Sequence, residues 1–302
     1  MIEVLCIGHA SYDISLFLES FPEENIKSET TEYIEGGGGP AANAAYLLTK
    51  WGVSCGFAGL IGNDRYGTNV VDEFTNAGTE ISCLEVRKDY STPLSIIMVN
   101  KSNGSRTIIN RKSQLSSMNV DSKALGELRP NVLLFDGHEM NASKQAMKMY
   151  PQAVTILDAG SLRDSTRILA QMVDYLVASE RFAASLSGVK ALNPGNYENC
   201  FNNLAELNKK NVVITLGERG LLYGSKGNIH LMHAYKAEVL DTTGAGDVFH
   251  GAFAYGILNG IEYEKTLKLA SIAAAMSVEA KGARNSIPDL AACLYKLNNT
   301  SF

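Results

Sequence analysis

The sequence contains no long uncharged apolar run and no excess of basic residues, and both absences narrow the function. Because no segment approaches the roughly 20 apolar residues of a membrane span, we expect no transmembrane helix. Residues 1–8 lack a basic segment and have the pattern of a core strand, so we expect no signal peptide. The net charge of −5 argues against a nucleic-acid partner, which favours a basic surface. The negative net charge does not exclude small anionic substrates, because their binding depends on local basic groups rather than on net charge.

Cysteine is scarce, and its spacing forms no metal or redox motif. The five cysteines are scattered without a C-x-x-C pair. Cys6 and Cys55 lie in apolar runs typical of strands. We therefore expect buried thiols in a reducing compartment, and a cytoplasmic protein.

Two common nucleotide-binding motifs are also missing. The chain has no Gly-x4-Gly-Lys-Ser/Thr loop, and the first strand is followed by Gly-His-Ala-Ser-Tyr-Asp instead of Gly-x-Gly-x-x-Gly. A P-loop enzyme and a dinucleotide-dependent dehydrogenase are therefore disfavoured. The five histidines form no cluster, and His138 beside Glu139 lacks metal-site spacing. A surface or substrate-contact role is expected for His138.

Apolar runs and helical patterns alternate along most of the 302 residues. Runs typical of strands occupy 3–8, 53–58, 131–135, 154–157, 175–178 and 212–216. Helical patterns lie between several of them, at 40–51, 66–76, 144–150 and 197–207. This alternation predicts an α/β fold with an open, mainly parallel sheet and helices on both faces. Ligands are expected beyond the carboxyl ends of its strands.

Two segments, 12–35 and 93–111, break the alternation. The second has the pattern of a hairpin with a Lys-Ser-Asn-Gly turn at 101–104. We expect the two segments to form a small β lid over the active face, and residues 1–11, 36–92 and 112–302 to form a large domain. Ile96, Met98 and Ile108 in the lid are expected to contact the lid of a second subunit or to pack against the sheet.

The most informative segment is residues 241–251, Asp-Thr-Thr-Gly-Ala-Gly-Asp-Val-Phe-His-Gly. It follows a β-like stretch at 237–240 and opens an apolar-periodic helix pattern. The small residues Gly244, Ala245 and Gly246 would aim backbone N–H groups at one point, where a helix N-terminus favours a phosphate. Asp247 would repel that phosphate, so a base that takes a proton from an attacking hydroxyl explains it better. The alternative is an ordinary N-cap followed by turn glycines.

A second glycine cluster covers residues 36–45. Gly38 and Gly39 would bring bare backbone against a ligand, and Asn43 offers a donor and an acceptor, as a sugar requires. Asp13, just past the first strand, could accept from two sugar hydroxyls. The alternative is a flexible glycine linker, although Pro40 at a helix start favours an ordered segment.

Together these clusters and the lid segments resemble the ribokinase-like carbohydrate kinases of the phosphofructokinase-B family over essentially the whole chain. The resemblance implies that Asp247 is the catalytic base and that the amides of Gly244, Ala245 and Gly246 form an anion hole. It implies that Asp13, Gly38, Gly39 and Asn43 contact the sugar. It also implies an ATP site near Ser179, Thr215, Gly217 and Gly220, and a potassium loop formed by Asp241, Thr243, Ser277, Ala280, Gly282 and Ser286.

One departure from the family pattern concerns magnesium. Many members carry an Asn-x-x-Glu motif that organises magnesium and phosphate, where this chain has Ser179 and Phe182. The neighbouring Glu180 is the candidate substitute. A similar loss marks the ketohexokinase and sulfofructose kinase branches.

The same two branches leave the substrate open. Arg106, in Gly-Ser-Arg-Thr-Ile, resembles ketohexokinase, whereas Lys27 and Asn110 resemble sulfofructose kinase. His138 stands where that second enzyme has an arginine. A neutral ketose and an anionic sugar therefore both remain candidates, and Lys27, Arg106, Asn110 and His138 are the expected contacts.

The sequence thus predicts an ATP-dependent kinase that phosphorylates a primary hydroxyl of a small carbohydrate, with a ketose or ketose derivative as substrate. ATP and Mg²⁺ are the expected cofactors, with K⁺ as a further one, and a homodimer is expected through the lid. The alternatives are a nucleoside kinase and a sugar- or nucleotide-binding sensor that has lost catalysis.

Overall fold

Two β-sheets organise the chain in the computed structural model, which describes residues 1–111 and 117–299. The strands are β1 (Val4–Ile7), β2 (Ser11–Leu18), β3 (Tyr33–Gly38), β4 (Cys55–Gly62), β5 (Leu84–Arg87), β6 (Leu94–Asn100), β7 (Arg106–Arg111), β8 (Val132–Phe135), β9 (Val154–Ala159), β10 (Tyr175–Ser179), β11 (Asn211–Thr215), β12 (Leu221–Ser225) and β13 (Asn228–Met232). The helices are α1 (Pro40–Lys50), α2 (Arg65–Ala77), α3 (Ser122–Leu128), α4 (Met140–Met149), α5 (Asp164–Ala170), α6 (Glu180–Ser187), α7 (Tyr197–Leu207), α8 (Ala245–Leu258), α9 (Tyr263–Ser277) and α10 (Leu290–Asn299). A short 3₁₀ helix covers Gly217–Arg219.

The large sheet carries the α/β fold that the alternating pattern predicts. Within the described ranges its strand order is β13-β12-β11-β10-β9-β8-β1-β4-β5. Neighbouring strands from β11 through β5 are parallel, while β12 and β13 add an antiparallel edge. The predicted fold, an open and mainly parallel sheet with helices on both faces, is confirmed.

The strands of this sheet are apolar on both faces because helices cover both. In β1, Val4 and Cys6 pack into one core with residues of α1, α8 and α9, whereas Leu5 and Ile7 pack into a second core with residues of α4, α5 and α6. Strands buried in this way have continuous apolar sequences, which explains why their positions could be predicted. No helix in the described ranges combines the length and the apolar character needed to cross a membrane.

The small sheet joins the two segments that break the alternation. Its order is β3-β2-β6-β7, with β6 and β7 as an antiparallel hairpin and β2 parallel to β6. The predicted pairing of these segments is therefore confirmed. The register places Gly36, Asp13, Ser95 and Asn110 in one row across the four strands, so their side chains share one face.

The register divides the isoleucines of the hairpin. Ile108 pairs with the buried Ile97, whereas Ile96 pairs with Ile109, so Ile96 and Ile108 lie on opposite faces of the small sheet. Contact of these residues with a second lid stays a prediction.

One local prediction is wrong. The β-like stretch at 237–240 forms no strand. The N–H groups of Leu240 and Asp241 both donate to the carbonyl of Val278, which fixes this segment beside the end of α9 rather than in a sheet.

Candidate active site

The two glycine motifs meet through a single hydrogen bond. Asn43, in the first turns of α1, donates from Nδ2 to Oδ2 of Asp247 at 2.7 Å. Asp247 is the third residue of α8, and α1 and α8 pack against each other. Helix packing thus brings together two side chains that lie 204 residues apart in the chain.

The environment of Asp247 suits proton transfer near neutral pH. Burial raises the pKa of Asp247 to about 7, and the negative charge of Asp158 contributes further, while the hydrogen bond from Asn43 acts in the opposite direction. Asp158 is the fifth residue of β9 and lies 3.4 Å from Nδ1 of His250 in α8. A base with a pKa close to the working pH transfers protons most efficiently.

The N-terminus of α8 is open to a ligand. Gly244 caps the helix with φ of 79°, and an added Cβ would lie 2.8 Å from Cβ of Ala283. Gly246, in the first turn, is exposed, and no atom lies within 4 Å of the position its Cβ would take. Because the first N–H groups of a helix have no intrahelical acceptors, this end can hold an anion beside Asp247. The N–H of Ala245 also makes a long contact, 3.4 Å, with the carbonyl of Thr242.

The glycine run at 36–39 leaves room for side chains that cross it. A Cβ on Gly38 would lie 2.0 Å from Oδ2 of Asp13, and one on Gly37 would lie 2.3 Å from Cζ of Arg284. A Cβ on Gly39 would lie 2.3 Å from the carbonyl oxygen of His9. The run is therefore an ordered segment against which charged side chains pack, and the alternative of a flexible linker is wrong.

The Asp13 side chain projects from β2 and lies next to this glycine run. Burial raises its pKa, while hydrogen bonds from the hydroxyls of Ser95 and Ser11 act to lower it. The Ser11 hydroxyl donates to Oδ1 at 2.9 Å. Asn110 lies in the same cross-strand row two strands away, on the same face of the small sheet.

A cavity of about 240 Å³ lies between the small sheet and the loop that follows α9. The side chains and backbone that line it include Asp13, Tyr46, Glu73, Thr243, Gly282 and Arg284. Arg284 donates to the Asn43 amide oxygen at 3.2 Å, and this same amide donates to Asp247. Two hydrogen bonds, through Arg284 and Asn43, therefore connect this cavity to the carboxylate that can accept a proton.

A second cavity, of about 490 Å³, opens at the carboxyl ends of β10 and β11. Ser179, Thr215 and Gly217 line it together with Arg181 and Lys190. This is the sheet edge at which parallel α/β proteins bind ligands. Its size and basic side chains suit a nucleotide.

Gly220 is outside that lining. A Cβ there would lie 1.9 Å from the carbonyl oxygen of Met232, so the glycine permits close contact between backbones.

The position of the missing Asn-x-x-Glu motif is filled by structural contacts. The Ser179 hydroxyl donates to the Gly160 carbonyl at 2.9 Å and accepts from the N–H of Phe182 at 3.1 Å, which caps α6. The Phe182 side chain is fully buried in the core. Glu180 accepts hydrogen bonds from Arg219 and from the N–H of Leu192. Since both of its oxygens have partners, Glu180 is a poor substitute for the missing magnesium-organising carboxylate, contrary to the sequence prediction.

The predicted potassium loop forms two adjacent turns joined by Asp241. Its carboxylate accepts from the N–H of Thr243 and from the N–H of Gly282, both at 2.9 Å. The N–H of Ala280 donates to Ser277, and the N–H of Ser286 donates to Gly282, so the six predicted residues lie together.

The Thr243 hydroxyl oxygen is buried there and has no hydrogen-bond partner in the part of the chain that the structure describes. A buried unpaired oxygen is consistent with an ion ligand. No group of three His, Cys, Asp or Glu side chains within 1–111 and 117–299 could hold a metal, so carbonyl and hydroxyl oxygens would hold a cation in this loop.

The remaining predicted substrate residues differ in their placement. Arg106, at the lid hairpin, donates to the Thr242 hydroxyl beside the α8 N-terminus. Lys27 is exposed on its loop and pairs with Glu29 at 3.1 Å. The structure therefore brings Arg106 to the site but leaves the Lys27 side chain in solvent.

His138 lies just after β8, and its ring stacks on that of His9 at 4.5 Å. Its Nδ1 lies 3.1 Å from Oδ1 of Asp136. Although burial acts in the opposite direction, contacts with His138 and with the N–H of His9 lower the pKa of Asp136. His138 is thus held by a buried carboxylate at the carboxyl end of a strand.

Sequence analysis missed four charged residues of this region. Asp136 follows β8 and Asp158 lies near the end of β9, and a carboxylate at the end of an apolar run was a usable signal. Glu73 is in the middle of α2, and Arg284 is in the loop after α9. Neither has a spacing pattern that marks it.

Comparison with known proteins agrees with this architecture. The family model of the pfkB family carbohydrate kinases matches residues 1–290. A ribokinase from Haemophilus influenzae is 26% identical over 288 residues, which cover 93% of this chain and 92% of that protein. The structure of a ribokinase from Thermotoga maritima has a TM-score of 0.82 at 27% identity, over 99% of this chain and 100% of that one. Arabidopsis thaliana ribokinase, complexed with ribose and ATP, has a TM-score of 0.83 at 24% identity, over 99% of each chain.

Proposed function

The chain belongs to the pfkB family of carbohydrate kinases and is an ATP-dependent phosphotransferase, and we propose that it phosphorylates a primary hydroxyl of a small uncharged sugar. The observation that carries the proposal is the 2.7 Å hydrogen bond between Asn43 and Asp247, beside a cavity lined by Asp13. It puts a carboxylate that can take a proton next to groups that can hold a polyol.

In the proposed mechanism Asp247 accepts the proton of the attacking hydroxyl. Its pKa of about 7 lets it be ionised in a large fraction of molecules at neutral pH. The N–H groups at the start of α8, from Gly244 to Gly246, stabilise the charge on the transferred phosphoryl group. The cavity at Ser179, Thr215 and Gly217 holds the nucleotide.

Mg²⁺ and K⁺ are the proposed cofactors. Bound Mg²⁺ neutralises phosphate charge, and it is commonly held by phosphates and waters with few protein ligands, which fits a chain whose Glu180 is engaged by Arg219. For K⁺ the unpaired Thr243 hydroxyl and the turn around Gly282 are the proposed ligands.

The charges of the cavity favour an uncharged sugar over an anionic one. Asp13 and Glu73 supply carboxylates, and the single guanidinium, Arg284, is already paired with Glu73 at 2.6 Å. The ketohexokinase resemblance supports a ketose as substrate. The relatives named ribokinase support ribose, so both sugars belong in the test.

We also propose that the small sheet closes over the sugar as a lid and pairs with the lid of a second copy. The support is its outer face, where Ile109 and Tyr33 are 58% and 61% exposed. Replacing Ile109 by Glu is expected to convert a dimer into a monomer in light scattering, whereas Tyr295→Glu, at an exposed site on α10, is expected to leave the dimer intact. Five unpaired cysteines support a reducing compartment such as the cytoplasm.

The direct test is sugar-dependent ADP release from ATP across D-ribose, 2-deoxy-D-ribose, D-fructose, other hexoses, nucleosides, sugar phosphates and sulfosugars. Steady turnover with a neutral sugar supports the proposal. Turnover only with nucleosides, or only with anionic sugars, would replace the proposed substrate class. Binding of sugar or nucleotide without turnover would instead identify a sensor.

A further inference from the structure

We propose that Arg284 determines substrate specificity, because its guanidinium donates a hydrogen bond to a hydroxyl oxygen of the sugar held by Asp13. This inference rests on the proposed sugar kinase activity and assigns a residue outside both glycine motifs to the sugar site. Arg284 lies in the loop between α9 and α10 and lines the same cavity as Asp13.

The guanidinium is buried and only partly paired. The residue is 8% exposed, and it lies between the rings of Tyr46 and Phe74, whose centroids are 4.9 and 4.7 Å from Cζ. Its Nε donates to Asn43 and its Nη1 donates to Glu73, but Nη2 is buried without an acceptor among residues 1–111 and 117–299. An unpaired donor on a buried charge is costly, and a ligand oxygen would remove that cost.

The backbone of the small sheet is shaped around this side chain. A Cβ on Gly37 would lie 2.3 Å from Nη1 and 2.6 Å from Nη2, so only glycine leaves the guanidinium in place. The next residue, Gly38, makes the same allowance for the Asp13 carboxylate. Asp13 and Arg284 both line the cavity. Burial raises the pKa of Asp13, and the positive charge of Arg284 acts to lower it.

The two side chains have opposite hydrogen-bonding roles. Arginine only donates, whereas an ionised aspartate only accepts. A sugar hydroxyl can donate its hydrogen to Asp13 while a neighbouring oxygen of the same sugar accepts from Arg284. A vicinal diol satisfies both groups, and a sugar that lacks one of these hydroxyls does not.

Because Glu73 pairs with Arg284, we expect Arg284 to bind sugar hydroxyls rather than anions. Its carboxylate accepts from Nη1 of Arg284 at 2.6 Å and from the N–H of Gly37 at 2.9 Å. The positive charge is thereby neutralised within the protein. A sulfonate or phosphate in this cavity would face Asp13 and Glu73, and among the described lining residues the one guanidinium, Arg284, is already paired.

The test compares a full sugar with its single-deoxy analogues in wild type and in Arg284→Lys. For D-ribose the analogues are 2-deoxy-D-ribose and 3-deoxy-D-ribose, and for another best sugar they are its own deoxy compounds. In wild type we expect one analogue to lose roughly 10- to 100-fold in kcat/KM, the scale of a hydrogen bond to a charged group. In Arg284→Lys the ratio of kcat/KM for the full sugar to kcat/KM for that analogue should fall towards one. Lysine has one ammonium group and no donor at the position of Nη2, so it cannot replace the hydrogen bond to the sugar.

A second pair of variants keeps the test valid if Arg284→Lys fails to fold. Gly37→Ala displaces the guanidinium without changing its chemistry and should lose the same discrimination. Gly126→Ala is the control, because Gly126 is exposed on α3, away from both cavities, and its Cβ would be 3.7 Å from the nearest atom, Sδ of Met149. It should keep the wild-type ratio.

The outcomes separate this inference from the proposed function. If wild type turns over sugars and Arg284→Lys or Gly37→Ala loses activity equally on all analogues, Arg284 is only structural and the inference is overturned. If wild type turns over no sugar, the proposed function itself fails, and the inference fails with it.

Discussion

Asn43 and Asp247 are joined by a 2.7 Å hydrogen bond from an amide nitrogen to a carboxylate oxygen. The amide can face Asp247 in only one orientation, because its oxygen accepts from Nε of Arg284, which cannot accept in return. Asn43 thereby stabilises the ionised form of Asp247. The hydrogen bond from the second glycine motif thus favours the ionised form that the mechanism needs, against the burial that raises the pKa of Asp247.

Replacing Asn43 by Leu should move the pH profile. In wild type we expect kcat/KM to rise with pH through about 7, because Asp247 must lose its proton to act as the base. This rising part of the profile is called the acid limb, or simply the limb. Without the hydrogen bond from Asn43 the pKa of Asp247 rises, so the limb moves to higher pH. At pH 7 we expect kcat/KM to fall about tenfold or more. Measuring kcat/KM from pH 5.5 to 9 tests this, and an unmoved limb would contradict it.

Asp158→Asn should move the same limb in the opposite direction. The negative charge of Asp158 helps to raise the pKa of Asp247, and removing that charge lowers this pKa. We therefore expect relatively more activity at pH 6 than in wild type. Because two buried carboxylates titrate together, the comparison should use the whole profile rather than one pH. A shift to higher pH would disprove the coupling.

Gly38→Ala should damage sugar binding and spare ATP binding. The new Cβ would lie 2.0 Å from the Asp13 carboxylate, which must then move away from the sugar. We expect KM for the sugar to rise by about tenfold or more, as after loss of a hydrogen bond to a charged group, while KM for ATP stays constant. Steady-state kinetics with each substrate varied in turn measures both constants. Gly126→Ala, at an exposed position of α3, is the control, and an equal rise of both KM values would count against a sugar role for Asp13.

Thr243→Val should remove a response to potassium. The buried Thr243 hydroxyl has no protein partner, and valine keeps its shape while removing the oxygen. In wild type we expect the rate to rise when K⁺ replaces Na⁺, and in the variant we expect the two salts to give the same rate. The measurement is turnover at constant ionic strength. No response of wild type in either rate or nucleotide affinity would refute the potassium site.

The parts of the site that were predictable are those whose chemistry is local in sequence. Asp247 and Asn43 follow glycine clusters, which indicate that the backbone comes close to a ligand. Continuous apolar runs predicted the positions of the central strands. Glu73 and Arg284 were not predictable, because an isolated charge in α2 and another in a loop gain meaning only when tertiary packing pairs them.

The errors have the same origin. The lid pattern predicted a hairpin but not which face each isoleucine takes, because register decides between Ile96 and Ile108. Residues 237–240 fit a strand pattern, yet the N–H of Leu240 donates to the carbonyl of Val278, just after α9, and not to a strand. Glu180 looked available in sequence, and only the folded chain shows that Arg219 engages it.

The most direct measurement of the central claim is sugar-dependent turnover of Asp247→Asn. The account predicts a loss of roughly 10²- to 10⁴-fold in kcat, the usual contribution of a general base. Folding should survive. Because the pKa of Asp247 is raised from 3.8 to about 7, ionising this group lowers stability as pH rises from about 4 to about 7, and the whole cost is present at pH 8. Asparagine removes that cost. The unfolding temperature at pH 8 should therefore equal or exceed that of wild type. Glu264→Gln, an acidic residue in the first turn of α9, is the matched control and should keep full activity. Wild-type turnover by a normally folded Asp247→Asn protein would contradict the account.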